Sequence, residues 1–235
     1  MLVLLWQSMR DQVWLLSPLA TLYFIDSLVS LKRLTHLDLS FWCVTDDMLI
    51  SVANEDLPLR NLVLQDCCEY TYFRISYFLS KCRFVQHLDL QNAKFLNDDG
   101  KSSMLYPYLR DLVSINFSGC SMLTNVTLFA LPRYCPLLSD IRMESTCIGI
   151  GPLGEPFVYR QVKSLHLANN SQLLNINIDI FAFMFPNMQL LDLNACPTYL
   201  KILVMWWWDG VIFDIWSYLS YHKRSYLGST SNLPN

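Results

Sequence analysis

The pair Leu37-x-Leu39 returns along the chain as Leu62-x-Leu64, Leu88-x-Leu90, Ile115-x-Phe117, Ile141-x-Met143, Leu165-x-Leu167 and Leu191-x-Leu193. The steps between successive pairs are 25, 26, 27, 26, 24 and 26 residues. Another apolar residue stands three positions before each pair, at Leu34, Leu59, Val85, Leu112, Leu138, Val162 and Met188. Chance alternation would give one or two such matches but not their near-constant spacing, which is the mark of a stacked architecture. Side chains alternate across a strand, so each pair reads as a short strand with its apolar residues turned inward. One such unit cannot bury its apolar face alone, and stacking on its neighbours makes the core.

The stretches between the pairs carry helix signals. Asp46 to Ala53 opens with two carboxylates, which favour a helix N-terminus. Thr124 to Leu131 has the same layout, and Phe73 to Leu79 and Asp179 to Phe185 fill the corresponding slots. The expected fold is therefore an α/β solenoid of six to seven units, with parallel strands on a concave face and helices on the convex one. It covers residues 34–196, after an apolar capping segment at 1–33 and before an irregular tryptophan-rich tail at 197–235.

Stacking also explains the composition. The chain of 235 residues is 53% hydrophobic, with mean hydropathy +0.26. No run reaches the 18 or so apolar residues of a membrane span. Gln12 to Ile25 is charge-free but short and contains Pro18, and Lys201, Asp209 and Asp214 interrupt Tyr199 to Tyr221. Arg10 is cancelled by Asp11, so a signal peptide is not expected. Net charge is −3, which supplies no electrostatic footprint for nucleic acid.

The eight cysteines follow the period. Cys43, Cys68, Cys120, Cys147 and Cys196 lie three or four residues after a pair, Cys82 and Cys135 six before one, and Cys67 alone is left over. Position-locked cysteines read as buried, inert thiols donating to turn carbonyls, in a cytoplasmic or nuclear protein. The pattern Leu34-Thr-His-Leu37-Asp-Leu39-Ser-Phe-Trp-Cys43-Val-Thr45-Asp46 returns around Leu112 to Asn125, and Asn97-Asp98 marks the same turn elsewhere. Tyr134-Cys135-Pro136-Leu137-Leu138 repeats a helix end before a strand.

In these residues the chain resembles the cysteine-containing leucine-rich repeats of plant F-box proteins, over roughly Leu34 to Cys196. The resemblance implies a non-enzymatic substrate receptor of a cullin-RING (SCF) ubiquitin ligase, acting in ubiquitin-dependent protein degradation. A protein target would dock on the concave face, and a cullin-ligase adaptor would bind through an F-box. Leu16-Ser17-Pro18-Leu19 departs from the L-P-x-E opening of that segment, so no F-box is visible. A scaffold or truncated decoy that recruits no ligase is the alternative, and a secreted or membrane-held receptor fragment is a third reading.

Register assigns the partner-binding face. One column reads His36, Asn61, His87, Ser114, Asp140 and Ser164; the central one reads Asp38, Val63, Asp89, Asn116, Arg142, His166 and Asp192. A third holds Ser40, Gln65, Gln91, Ser118 and Glu144. The surface is polar, leans acidic and suits a basic or polar peptide. His36 with Asp38 and His87 with Asp89 sit two strands, about 10 Å, apart, too far to share one metal. No C-x-x-C or G-x-S-x-G occurs, and Gly149 to Gly154 matches G-x-G-x-x-G only formally, because Pro152 opposes the helix a nucleotide site needs. No catalytic residue, cofactor or metal is expected.

Overall fold

A computed structural model describes residues 32–98, 105–152 and 157–197. Each apolar pair lies on a three-residue strand or directly after it. The strands are β1 (His36–Asp38), β2 (Asn61–Val63), β3 (His87–Asp89), β4 (Ser114–Asn116), β5 (Asp140–Arg142), β6 (Ser164–His166) and β7 (Leu190–Asp192). They pair in chain order, all parallel, in one open sheet. Leu37, Leu62, Leu88, Ile115, Ile141, Leu165 and Leu191 stand opposite one another across it. The first six of these are buried, as is the second row from Leu39 to Leu193. The intervening strand residues point the other way, which is the alternation expected from the sequence.

Four helices return the chain among the described residues: α1 (Asp46–Ala53), α2 (Tyr72–Lys81), α3 (Asn125–Tyr134) and α4 (Asn175–Met184). Thr45 and Thr124 cap α1 and α3, accepting from the Met48 and Val126 N–H groups. Met48, Leu49 and Val52 of α1, Ile75, Phe78 and Leu79 of α2, Leu128 and Leu131 of α3, and Ile178 and Phe181 of α4 share one core with the strand leucines. Each such fully buried side chain contributes about 1.5–3 kcal/mol. No described helix occupies the Gly149 stretch between β5 and β6, and only a 3-10 turn (Tyr106–Tyr108) is described between β3 and β4.

Helix α4 begins four residues before the expected Asp179. Asn177 accepts from the Leu174 N–H at 2.8 Å and so sets the helix start, whereas Asp179 lies inside it, half-buried. The capping segment and the tryptophan-rich tail lie outside the described residues, except for a few positions at their inner ends. Among the described residues no helix is long and apolar enough to cross a membrane.

One turn follows every strand. Phe41, Asp66, Asn92, Gly119, Ser145, Asn169 and Ala195, each two residues after the second buried position, have φ between 52° and 74°. The first six donate their N–H to Gln65, Gln91, Ser118, Glu144, Ala168 and Asn194 carbonyls at 2.8–3.0 Å. Asn and Asp tolerate this left-handed region best after glycine, and the one glycine has its own reason. A Cβ on Gly119 would collide with the Asn92 side chain, whose amide donates to Asp66 Oδ1 at 2.6 Å.

The turn divides the cysteines differently from the sequence expectation. Positions three after the second buried residue point inward: Cys67, Cys120 and Cys196 donate to the Leu39, Leu90 and Leu167 carbonyls of the preceding segment at 2.9, 3.3 and 3.1 Å. Positions four after it point out, so Cys43 and Cys68 are exposed and Cys147 is half-buried. Cys67 is therefore the one with the structural address, and Cys68 is the one without. The left-handed residue Asp66 stands just ahead of both, and a step of one residue beyond it decides which side a thiol takes. Burial pushes the Cys67, Cys82, Cys120 and Cys135 thiols up to about 12.

The Thr/Asn-Asp/Asn pairs after the turns tie neighbouring segments together. Asp46 accepts from the Thr71 N–H at 2.8 Å, Asp98 from the Thr124 N–H at 2.9 Å, and Asn125 from the Gly149 N–H at 3.0 Å. In each case a side chain satisfies a donor on the segment that follows it.

Candidate functional site

Strand pairing sets the three outward columns side by side. His36 neighbours Asn61, then His87, Ser114, Asp140 and Ser164; Asp38 neighbours Val63, Asp89, Asn116, Arg142, His166 and Asp192. All twelve expected face residues stand on these columns or, like Gln91 and Glu144, two positions beyond the central one. They do not form one cluster, because the sheet is seven strands wide.

Part of this face is spent on the fold. Asp38, Asp89, Asn116 and Asp192 each accept the backbone N–H two residues on, at 2.9–3.0 Å, which starts the turn. Asn116 also donates to Asp89 Oδ2 at 2.9 Å and Gln91 Oε1 at 3.3 Å, reaching across to the neighbouring β3 segment. These side chains hold the sheet edge as much as they present it.

The chemistry concentrates over β4 to β7, around Asp140. Its Oδ2 accepts from Ser114 Oγ at 3.2 Å and faces Arg142 Nε at 3.4 Å. Its Oδ1 is buried and makes no hydrogen bond; His166 Nε2 lies 3.4 Å away. Glu144, His166 and Asp192 bring one ligand atom each within 4.8 Å of the others. The two His–Asp pairs apparent in the sequence, His36 with Asp38 and His87 with Asp89, are kept two strands apart by the sheet. The register already placed Glu144 diagonally beside His166 and His166 beside Asp192, so the signal lay across columns rather than within them.

This patch offers two carboxylates and an imidazole around a half-buried aspartate, with Arg142 exposed at its rim. It is suited to charge-assisted hydrogen bonds with cationic groups, and Arg142 to a carboxylate. A second trio, Cys43, Cys68 and Glu69, lies at the turns rather than on the strand face. No protein-family model matches the chain, and no curated protein matches it.

Proposed function

We propose that the chain is a leucine-rich-repeat solenoid whose concave strand face binds a protein target, as the non-enzymatic substrate-recognition part of an F-box-type subunit of a cullin-RING ubiquitin ligase. The observation that carries this reading is the run of seven in-register parallel strands, each closed by the same left-handed turn and each presenting polar side chains outward. Seven strands at about 4.8 Å span roughly 30 Å, enough for a helix or an extended peptide. Asp140, Glu144, His166 and Asp192 favour a basic or polar segment, with Arg142 fixing its orientation. The cysteine turns support the family reading, because Cys67, Cys120 and Cys196 make the same bond to the preceding segment.

Affinity capture from plant extract with the full chain tests it, followed by cross-linking and peptide mapping. A target cross-linked to the β4–β7 face, lost in Arg142→Glu and Glu144→Lys, is the expected result, together with a cullin adaptor in the same eluate. Capture indifferent to both substitutions would remove the face from the reading. Target capture with no adaptor would remove the ligase role and leave a scaffold.

A further inference from the structure

Cys43 and Cys68 face each other across a parallel backbone bridge, closed by the Cys68 N–H donating to the Trp42 carbonyl at 3.3 Å. Their Sγ atoms are 3.1 Å apart, and both residues are exposed. Glu69 adds a carboxylate: one ligand atom from each of the three lies within 4.8 Å of the other two. We propose that Cys43, Cys68 and Glu69 form a binding site for a thiophilic divalent cation of the zinc class, clipped between the first two turns. A water molecule completes the fourth position on the exposed side.

The ligand chemistry suits such an ion, which takes thiolate sulfur at about 2.3 Å and carboxylate oxygen at about 2.0–2.2 Å. Two sulfurs on a tetrahedral centre stand about 3.8 Å apart, so the pair opens by well under 1 Å, within reach of small side-chain rotations. As it stands the trio gathers three groups that each become anionic. The two sulfurs and the carboxylate repel one another wherever more than one of them carries its charge. Among the described residues no lysine or arginine pairs with Glu69. A dication reverses each of these penalties, displacing the thiol protons as it binds.

A Cys43–Cys68 disulfide is the competing use of the same atoms. It makes no use of Glu69, and the carboxylate opposes the thiolate that disulfide exchange requires. Cys147 shows the contrast. It occupies the same outer position, donates to the Ser121 carbonyl at 3.0 Å, and has serines at the matching places on both sides, Ser121 and Ser171.

The test uses the full chain, reduced with a phosphine and freed of metal, titrated with cobalt(II). One equivalent should produce a thiolate-to-cobalt charge-transfer band and the ligand-field bands of a four-coordinate ion. Cys43→Ser and Cys68→Ser should abolish them, and Cys147→Ser should leave them unchanged. Glu69→Gln should weaken binding by at least about ten-fold, the loss that even an outer partner of a metal ligand causes. On the unsubstituted chain, zinc should protect Cys43 and Cys68 from alkylation while Cys147 is still labelled. Absence of the charge-transfer band, its survival in both serine variants, or no protection by zinc would overturn the proposal. So would a Cys43–Cys68 disulfide forming in air at the same rate with and without zinc.

Discussion

In the turn after β2, Cys67 points under the sheet and donates to the Leu39 carbonyl, whereas Cys68, one residue on, stands exposed beside Cys43. The same division runs through the other turns. The inner row of Trp42, Cys67, Ala93, Cys120, Thr146, Asn170 and Cys196 is buried or half-buried; the outer row of Cys43, Cys68, Lys94, Ser121, Cys147, Ser171 and Pro197 is exposed or half-buried. Cys67, Cys120, Asn170 and Cys196 each donate a side-chain hydrogen bond to the segment before, while Thr146 donates within its own turn and to Asn170 of the segment after. In the outer row Cys43 and Cys68 meet each other, and Cys147 donates to the Ser121 carbonyl. Residue type does not separate the two rows; position does, the first residue after the left-handed one being inner and the second outer.

Substitutions in paired positions should separate the rows by energy. The largest contrast is expected at Asn170, whose side chain accepts from the Thr146 N–H and donates to the Met143 and Leu167 carbonyls. Asn170→Ala should cost about 3–5 kcal/mol in denaturant unfolding, since buried partners are left unpaired, while Ser171→Ala should stay within about 0.5 kcal/mol. Next comes the left-handed residue ahead of both rows. Gly119→Ala should cost about 2 kcal/mol, from the left-handed backbone and the displaced Asn92 side chain. Smaller again, Cys120→Ala should cost about 1–2 kcal/mol against less than about 0.5 kcal/mol for Cys68→Ala. Equal losses at Cys120 and Cys68 would erase the distinction.

The smallest effect lies away from the turns and serves as their control. Burial raises the Asp179 carboxyl above 3.8 in α4. A raised acid disfavours the folded state at neutral pH, and the penalty disappears as pH falls below the unfolded value. Asp179→Asn should therefore raise the melting temperature slightly at neutral pH and leave it unchanged in acid. Thermal melts of both proteins across that range check it.

Much of this fold is legible in the sequence, and for identifiable reasons. The buried rows from Leu37 to Leu191 and from Leu39 to Leu193 follow from period-2 alternation, and the polar columns follow once the step length fixes the register. Thr45 and Thr124 mark helix starts because a hydroxyl there can accept an orphan N–H. The period places a helix at Asp179 but not its start, which lies four residues earlier because Asn177 reaches backward to accept from the Leu174 N–H. The cysteine sides were not legible because six of the seven left-handed residues are not glycine. The Glu144–His166–Asp192 grouping was within reach of the register but needed a diagonal comparison between columns. The 25-residue step already sets Cys43 and Cys68 at matching places on neighbouring segments, about 4.8 Å apart, and the turn brings their sulfurs to 3.1 Å.

Thiol labelling of the native full chain, reduced and in the presence of a chelator, tests the two-row turn most directly when each cysteine is followed by mass spectrometry. Cys43, Cys68 and Cys147 should react first. Cys67 and Cys196, held by their carbonyl bonds, and the buried Cys82, Cys120 and Cys135 should react only at the rate of opening or global unfolding. Labelling of Cys67 or Cys120 as fast as Cys68 would contradict it.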